Sequence, residues 1–301
     1  MPSPDPSRKR EGSAGKRAVS LMRIAESGGR ADIPGMTLPA LFIPHGGGPC
    51  FFMDPEGGPP DPMWRPMQDY LAGLIDSLPE RPKAILLVSG HWEEDQVTVH
   101  AGDGQPLLFD YYGFPEHTYR LRWDAPGTPD VAMRAKALLE GAGLPAGVER
   151  ERGWDHGVFI PMKVVVPGAD IPLAQLSLRK DFDPAAHIAI GRALAPLRDE
   201  GVLIVGSGMS FHNLRARGPQ VTPVADEWDA ALVDAVTDPD PARRAERVIG
   251  WDRLPHAHFA HPREEHLLPL MVALGAGGEG QAVCDYRDHV MGWAVSGFRF
   301  G

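Results

Sequence analysis

Four short apolar runs set the framework of the chain: residues 38–44 (LPALFIP), 83–90 (KAILLVSG), 171–178 (IPLAQLSL) and 201–208 (GVLIVGSG). Each is rich in Leu, Ile and Val, lacks polar alternation and is bounded by Pro or Gly. That is the pattern of a strand buried on both faces. Between them, residues 61–78, 129–143 and 183–201 space their apolar positions as helices do, with Asp or Pro near the start and Gly at the end. Residues 269–277 read as a further helix, with Pro269 in its first turn. Such alternation predicts an α/β fold, a three-layer α/β/α single domain around a mostly parallel or mixed central sheet. The stretch 294–300 reads as a closing edge strand. With no internal repeat and no interior linker, one domain is expected from 37 to 301.

Residues 1–36 break the pattern. They are rich in Pro, Ser, Lys and Arg, poor in apolar residues, and carry seven Lys/Arg against four Asp/Glu. A disordered tail is expected there, without the apolar core of a secretory signal.

Composition narrows the function. At 43% hydrophobic, 301 residues are enough for a sizeable core, and a net charge of −10 argues against nucleic acid as a partner. No run of 18 apolar residues predicts a membrane span. Two cysteines, Cys50 and Cys284, form no disulfide framework and suit a reducing, cytoplasmic setting. A homo-oligomer is compatible with all of this.

The count that changes the picture is twelve histidines. His45, His91 and His212 each follow an expected strand. In open α/β sheets ligands gather beyond the carboxyl ends of the strands, so these three converge if their strands are parallel neighbours. His156 opens a helical stretch after a Gly-Trp-Asp turn, and His266 lies just before the helix of Pro269. Neutral imidazole is the commonest protein ligand for zinc, iron and copper, and two or three of them with a carboxylate leave coordination positions open. The glycine run after His45 (Gly46, Gly47, Gly48) is expected to let a chelating ligand lie against such a metal where a Cβ would clash.

Seven segments, PALFIPHGGGP, VSGHWE, GFPEHTY, GWDHGVFIPM, QLSL, SGMSFHNL and EHLLPL, resemble in order and approximate spacing the class III, LigB-type extradiol ring-cleaving dioxygenases, above all the DODA branch of 4,5-DOPA extradiol dioxygenase-like proteins. The resemblance spans about residues 38–275. It implies a LigB-like fold that inserts O2 into a small catecholic substrate to give a muconic semialdehyde-type product. It also implies His45 and His91 as metal ligands and His266 as the third, with Glu265 beside it in place of the glutamate that more distant relatives use. His212 matches the general acid/base, close enough to join a tetrahedral zinc, and His156 a residue contacting substrate or oxygen. Fe(2+) is implied for turnover. Zn(2+), d¹⁰ and redox-inert, would hold the geometry without turning over. The segment 109–119 resembles an aromatic lid, with Tyr112, Phe114 and His117 facing the substrate ring, or else packing as a loop.

Other residues carry less. In PHAHFAHP (255–262), followed by Arg263-Glu264 where the family has Thr-Pro, His258 and His261 read as solvated loop residues. Trp92 and Trp154 are expected to wall the pocket, and Cys50 to be a small buried residue. His100, His187 and His289 read as structural. Two alternatives stay open: a zinc-dependent hydrolase on the same histidines, and a non-catalytic LigB-fold binding protein. An α/β-hydrolase is set aside because no G-x-S-x-G elbow accompanies HGGG.

Overall fold

A computed structural model describes residues 36–58 and 61–301. Apart from Met36, the tail expected over 1–36 lies outside the described residues. The four apolar runs are strands β1 (Ala40–Pro44), β2 (Ala84–Glu94), β5 (Leu173–Arg179) and β6 (Val202–Gly208). β3 (Thr98–His100), β4 (Gly147–Glu149), β7 (Ala282–Val290) and β8 (Trp293–Phe300) complete one mixed sheet in the order β4-β3-β5-β2-β6-β1-β8-β7. Its centre, β5-β2-β6-β1, is parallel, so the strands that precede His45, His91 and His212 are adjacent and point the same way. The stretch 294–300 is not an edge strand: β8 lies between β1 and β7, antiparallel to both. The edge is β7, whose Asp285, Arg287 and Asp288 suit a strand that must resist pairing with another chain.

Helices cover both faces. Ser207 and Gly206 are consecutive on β6, so they face opposite sides of the sheet. A Cβ on Gly206 would stand 2.2 Å from the Pro269 carbonyl oxygen in α9 (Leu268–Gly277). The Ser207 hydroxyl instead donates to the Gly157 carbonyl of α3 (His156–Val165). That carbonyl is free because Pro161, four residues on, has no N–H to offer it. Helix α1 (Arg65–Ala72) packs beside α3. On the other side α9 packs against α4 (Pro184–Leu194), and α4 against α2 (Pro129–Gly141). All ten residues of α9 are buried. It meets α4 through Gly191 and Gly275, where a Cβ would stand 2.1 and 2.2 Å from the Val272 and Ile188 carbonyl oxygens. Two expected helices are shorter than their patterns. The one over 61–78 is helical only as α1 and a 3-10 turn at Ile75–Ser77, and that over 183–201 splits where Pro196 opens α5 (Pro196–Asp199). Helices α6 (Thr222–Val236), α7 (Pro241–Ile249) and α8 (Ala257–Ala260) fill the long connection before α9.

The contact of α9 with β6 leaves no room for one methyl group. Gly206→Ala is expected to cost about 1–3 kcal/mol by overpacking. Gly141→Ala, in open space at the end of α2, is expected to be neutral or slightly stabilising. Urea unfolding of both variants checks this. Equal midpoints would mean that α9 does not sit this close to the sheet.

Candidate functional site

Each histidine is delivered by a backbone event. His45 leaves β1 with its N–H bonded to the Gly208 carbonyl at the end of β6 (3.1 Å). Gly208 also admits α9: its Cβ would lie 2.1 Å from the His266 carbonyl oxygen, which accepts from the Met209 N–H (3.1 Å). Gly208, the last residue of β6, and Met209 after it thus tie His45 and His266 to one strand end. His91 lies inside β2, at a bulge where pairing with β5 shifts register between Val88 and Glu93. His156 is the first residue of α3, and the His212 N–H is held by the Ala260 carbonyl at the end of α8 (3.0 Å).

The five imidazoles form one cluster. The His45 ring centroid is 5.1 Å from those of His91 and His266 and 5.5 Å from that of His156. His91 and His156 are 4.0 Å apart, and His91 and His266 4.7 Å. Ligand atoms of His45, His91 and His156 lie within 4.8 Å of one another, as do those of His212, Glu265 and His266. His212 stacks on His266 at 3.5 Å, with ring planes 19° apart. A ligating lone pair lies in the ring plane, so two rings stacked in this way do not aim at one ion.

Carboxylates fix the tautomers. Glu265 Oε1 is 2.8 Å from Nδ1 of His266 and 3.3 Å from Nδ1 of His212. Asp110 Oδ1 accepts from the His156 N–H (2.9 Å) and lies 2.7 Å from its Nδ1, while Asp110 Oδ2 is 3.5 Å from Nδ1 of His91. A carboxylate only accepts, so the Nδ1 atoms carry the protons and the Nε2 atoms present bare lone pairs. Nε2 of His91 and Nε2 of His266 then face each other at 3.1 Å. Two nitrogens each about 2.1 Å from one ion, at about a right angle, stand about 3 Å apart. Both ring nitrogens of His45, which is 1% exposed, have no hydrogen-bond partner among the described residues. Orphaned buried nitrogens and opposed lone pairs fit a divalent cation, and His–carboxylate pairs are the usual support around one.

The protein keeps three of these imidazoles neutral. Burial first, then the other imidazoles, hold the pKa values of His45, His91 and His266 well below the ordinary 6.5. Burial opposes ionisation of Asp110, but hydrogen bonds and charge from His156 outweigh it and hold its carboxyl below the usual range.

The chain matches, over residues 39–296, the family model described as the catalytic LigB subunit of aromatic ring-opening dioxygenase. It belongs to the LigB family. Among LigB relatives it is 41% identical over 245 residues to a 4,5-DOPA dioxygenase extradiol of Beta vulgaris, covering 79% of this chain and 87% of that one. It is 37% identical over 286 residues to Dioxygenase tasH of Hapsidospora irregularis, covering 87% and 85%. A crystal structure of an uncharacterized Escherichia coli K12 protein superposes with a TM-score of 0.71 at 30% identity, covering 88% of this chain and all of that one. As a LigB protein the chain is a metal-dependent, extradiol-type ring-opening dioxygenase, and the hydrolase alternative finds no support in these relatives.

Several readings need correction. Gly46 and Gly48 adopt φ of +80° and +53°, and a Cβ there would strike Cys50 Sγ (2.3 Å) and the Phe114 ring (2.8 Å). In this LigB chain those two glycines serve the turn and its packing rather than the approach of a ligand. Tyr112 is 91% exposed. Its buried neighbour Tyr111 packs on His156 (5.8 Å) and Phe114 (5.4 Å). His117 engages the Phe52 carbonyl (3.1 Å). Trp92 lines a cavity of about 540 Å³ beside His91, whereas Trp154 is core, 4.6 Å from His100. His258 is exposed as expected, but His261 is wholly buried: it holds the Ser210 carbonyl (2.9 Å), and burial first pushes its pKa down to about 4. Cys50 is buried as expected, with its thiol pushed up to about 12. The sequence reading missed Asp110 and the bridging role of Glu265. Asp110 stands inside the aromatic segment already singled out, which is the only signal it offered.

The depressed pKa values carry a prediction. Unfolded, the three histidines titrate near 6.5; folded, they stay neutral to well below it. From 6.5 downward these three alone make the unfolded metal-free chain bind up to three more protons than the folded one, and His261, His100 and His187, whose pKa values burial also lowers, add to the difference. Stability is expected to be full above pH 6.5 and to fall below it, with the three contributing up to about 4 kcal/mol per pH unit. His45→Ala should remove about 1.4 kcal/mol per pH unit of that slope. Denaturant midpoints of the metal-free protein between pH 7.5 and 5 check this, and identical slopes for the two proteins would contradict it.

Proposed function

We propose that this chain cleaves catechols beside, not between, their two hydroxyls, with ferrous iron held by His45, His91 and His266. The observation that carries the reading is the 3.1 Å approach of two Nε2 atoms, on rings whose Nδ1 atoms face carboxylates, beside a histidine with neither nitrogen satisfied among the described residues. Zinc fits the same nitrogens and would fix the geometry without turnover. The chemistry a ferrous ion supplies there is a redox-active centre at which catechol and O2 are brought together. Glu265 bridges rather than ligates in this reading: its Oε1 is shared by two imidazoles and its Oε2 lies 3.7 Å from Arg263 Nη1.

The chain's own residues handle protons and orientation. His212, with Nδ1 directed at Glu265, presents a bare Nε2. It takes the second phenolic proton and returns one as the ring opens, acting first as general base and then as general acid. Its stack on His266 keeps it beside the coordination sphere and outside it. His156, held by Asp110, offers its free edge to substrate or oxygen. Phe114 and the neighbouring Tyr111 wall the substrate ring, while Tyr112 and His117 take no part. Residues 37–301 form the catalytic domain. Cytoplasmic residence is in keeping with two free cysteines, and among the described residues no helix is long and apolar enough to cross a membrane.

Anaerobic loading with ferrous iron, then O2 uptake and absorbance on a panel of catechols, tests the reading. DOPA belongs in the panel because of the relatives named for it. A yellow semialdehyde from at least one catechol is expected, and no O2 consumption with any would contradict the proposal. His212→Ala should retain iron within a few-fold and lose on the order of 10²–10⁴-fold in kcat. Loss of iron instead would make His212 a ligand.

A further inference from the structure

Beyond the histidines lies a carboxylate that touches none of them. Asp155 is completely buried and accepts three hydrogen bonds: Ser89 Oγ on Oδ1 (2.7 Å), and Gln175 Nε2 (2.6 Å) and Arg152 Nη2 (3.0 Å) on Oδ2. Two of those donors reach His91 from opposite sides. Ser89 Oγ accepts from the His91 N–H (3.1 Å), and Arg152 Nη2 also donates to the His91 carbonyl (3.1 Å).

The sheet explains why His91 needs them. Pairing of β2 with β6 ends at Ser89, and pairing with β5 is interrupted between Val88 and Glu93. The backbone of His91 therefore lies past the β6 ladder and in the gap of the β5 ladder, where its N–H and C=O have no strand partner. Side chains replace the ladder, and Asp155 holds both of them. The fit is close: a Cβ on Gly157 would lie 2.4 Å from Ser89 Oγ and 2.8 Å from Cδ2 of His91. Asp155 also immediately precedes His156, so one buried carboxylate anchors the entry to α3 and the bulge of β2.

We infer that Asp155 is a positioning residue: through Ser89 and Arg152 it clamps the peptide of His91 and so sets where that imidazole presents its lone pair. This rests on the reading of His91 as a metal ligand. Disturbing the clamp leaves all three ligands in the chain and misplaces one. The expected consequence is weaker, differently shaped metal binding, of the 10–100-fold size seen when groups that orient ligands are lost.

Cobalt(II) is the probe, since its d–d absorption reports geometry without turnover. Titration of the metal-free protein with cobalt, in competition with a chelator, is compared for wild type, Asp155→Asn, Ser89→Ala, His91→Ala and Val205→Ala. Val205→Ala, buried in β6 with no hydrogen bond from its side chain to the clamp, reports how a loss of core packing alone affects the measurement. The inference expects a 10–100-fold affinity loss and altered d–d bands in Asp155→Asn and Ser89→Ala, with both unchanged in Val205→Ala. If Asp155→Asn does not fold, Ser89→Ala decides. Wild-type affinity and spectrum in the clamp variants, with loss in His91→Ala, would overturn this inference alone. Wild-type binding by His91→Ala, or none by wild type, would overturn the ligand reading and this inference with it.

Discussion

Two imidazole Nε2 atoms 3.1 Å apart, on rings whose Nδ1 atoms face carboxylates, repel unless a positive charge lies between them. Much of the fold serves to hold them there. His266 reaches His91 only because α9 lies in backbone contact with β6, and that contact depends on Gly206 and Gly208 having no side chain. His91 reaches back only because β2 runs on past β6 and bulges away from β5. The rest of the site follows from that meeting: Glu265 takes the outer nitrogen of His266, His212 stacks on the ring, and His45 is tied to the same strand end through Gly208.

The arrangement runs against the folding of the empty chain. Burying several neutral imidazoles with opposed lone pairs is destabilising, as is a strand end that has lost its ladder. The surrounding structure offsets this with a wholly buried α9, a glycine-tight helix crossing and a carboxylate under the β2 bulge. Places where local rules are broken are where function is expected. Here the breaks lie at the register shift, the opposed nitrogens and the unpartnered His45.

What the sequence made legible divides along physical lines. The central strands were readable because burial on both faces leaves an unbroken apolar run. β3 and β4 were not, at three residues each, and β7 was hidden by the charges that protect an exposed edge. His45, His91 and His212 stood out because strand ends in a parallel sheet converge. Carboxylates offered no such mark among forty Asp and Glu. Whether Glu265 bridges or ligates depends on the tilt of α9, which no local pattern encodes. That Tyr111 is buried and Tyr112 exposed was hidden for a similar reason: adjacent loop residues face opposite ways, and only tertiary packing says which is inside.

Anomalous diffraction at the iron edge, from crystals grown anaerobically with ferrous iron, tests the central claim most directly. The account predicts one peak per chain, about 2.0–2.2 Å from a nitrogen of each of His45, His91 and His266, with His212 Nδ1 still on Glu265. A peak held by His45, His91 and His156 with His266 outside it, or one seated between His212 and Glu265, would contradict it.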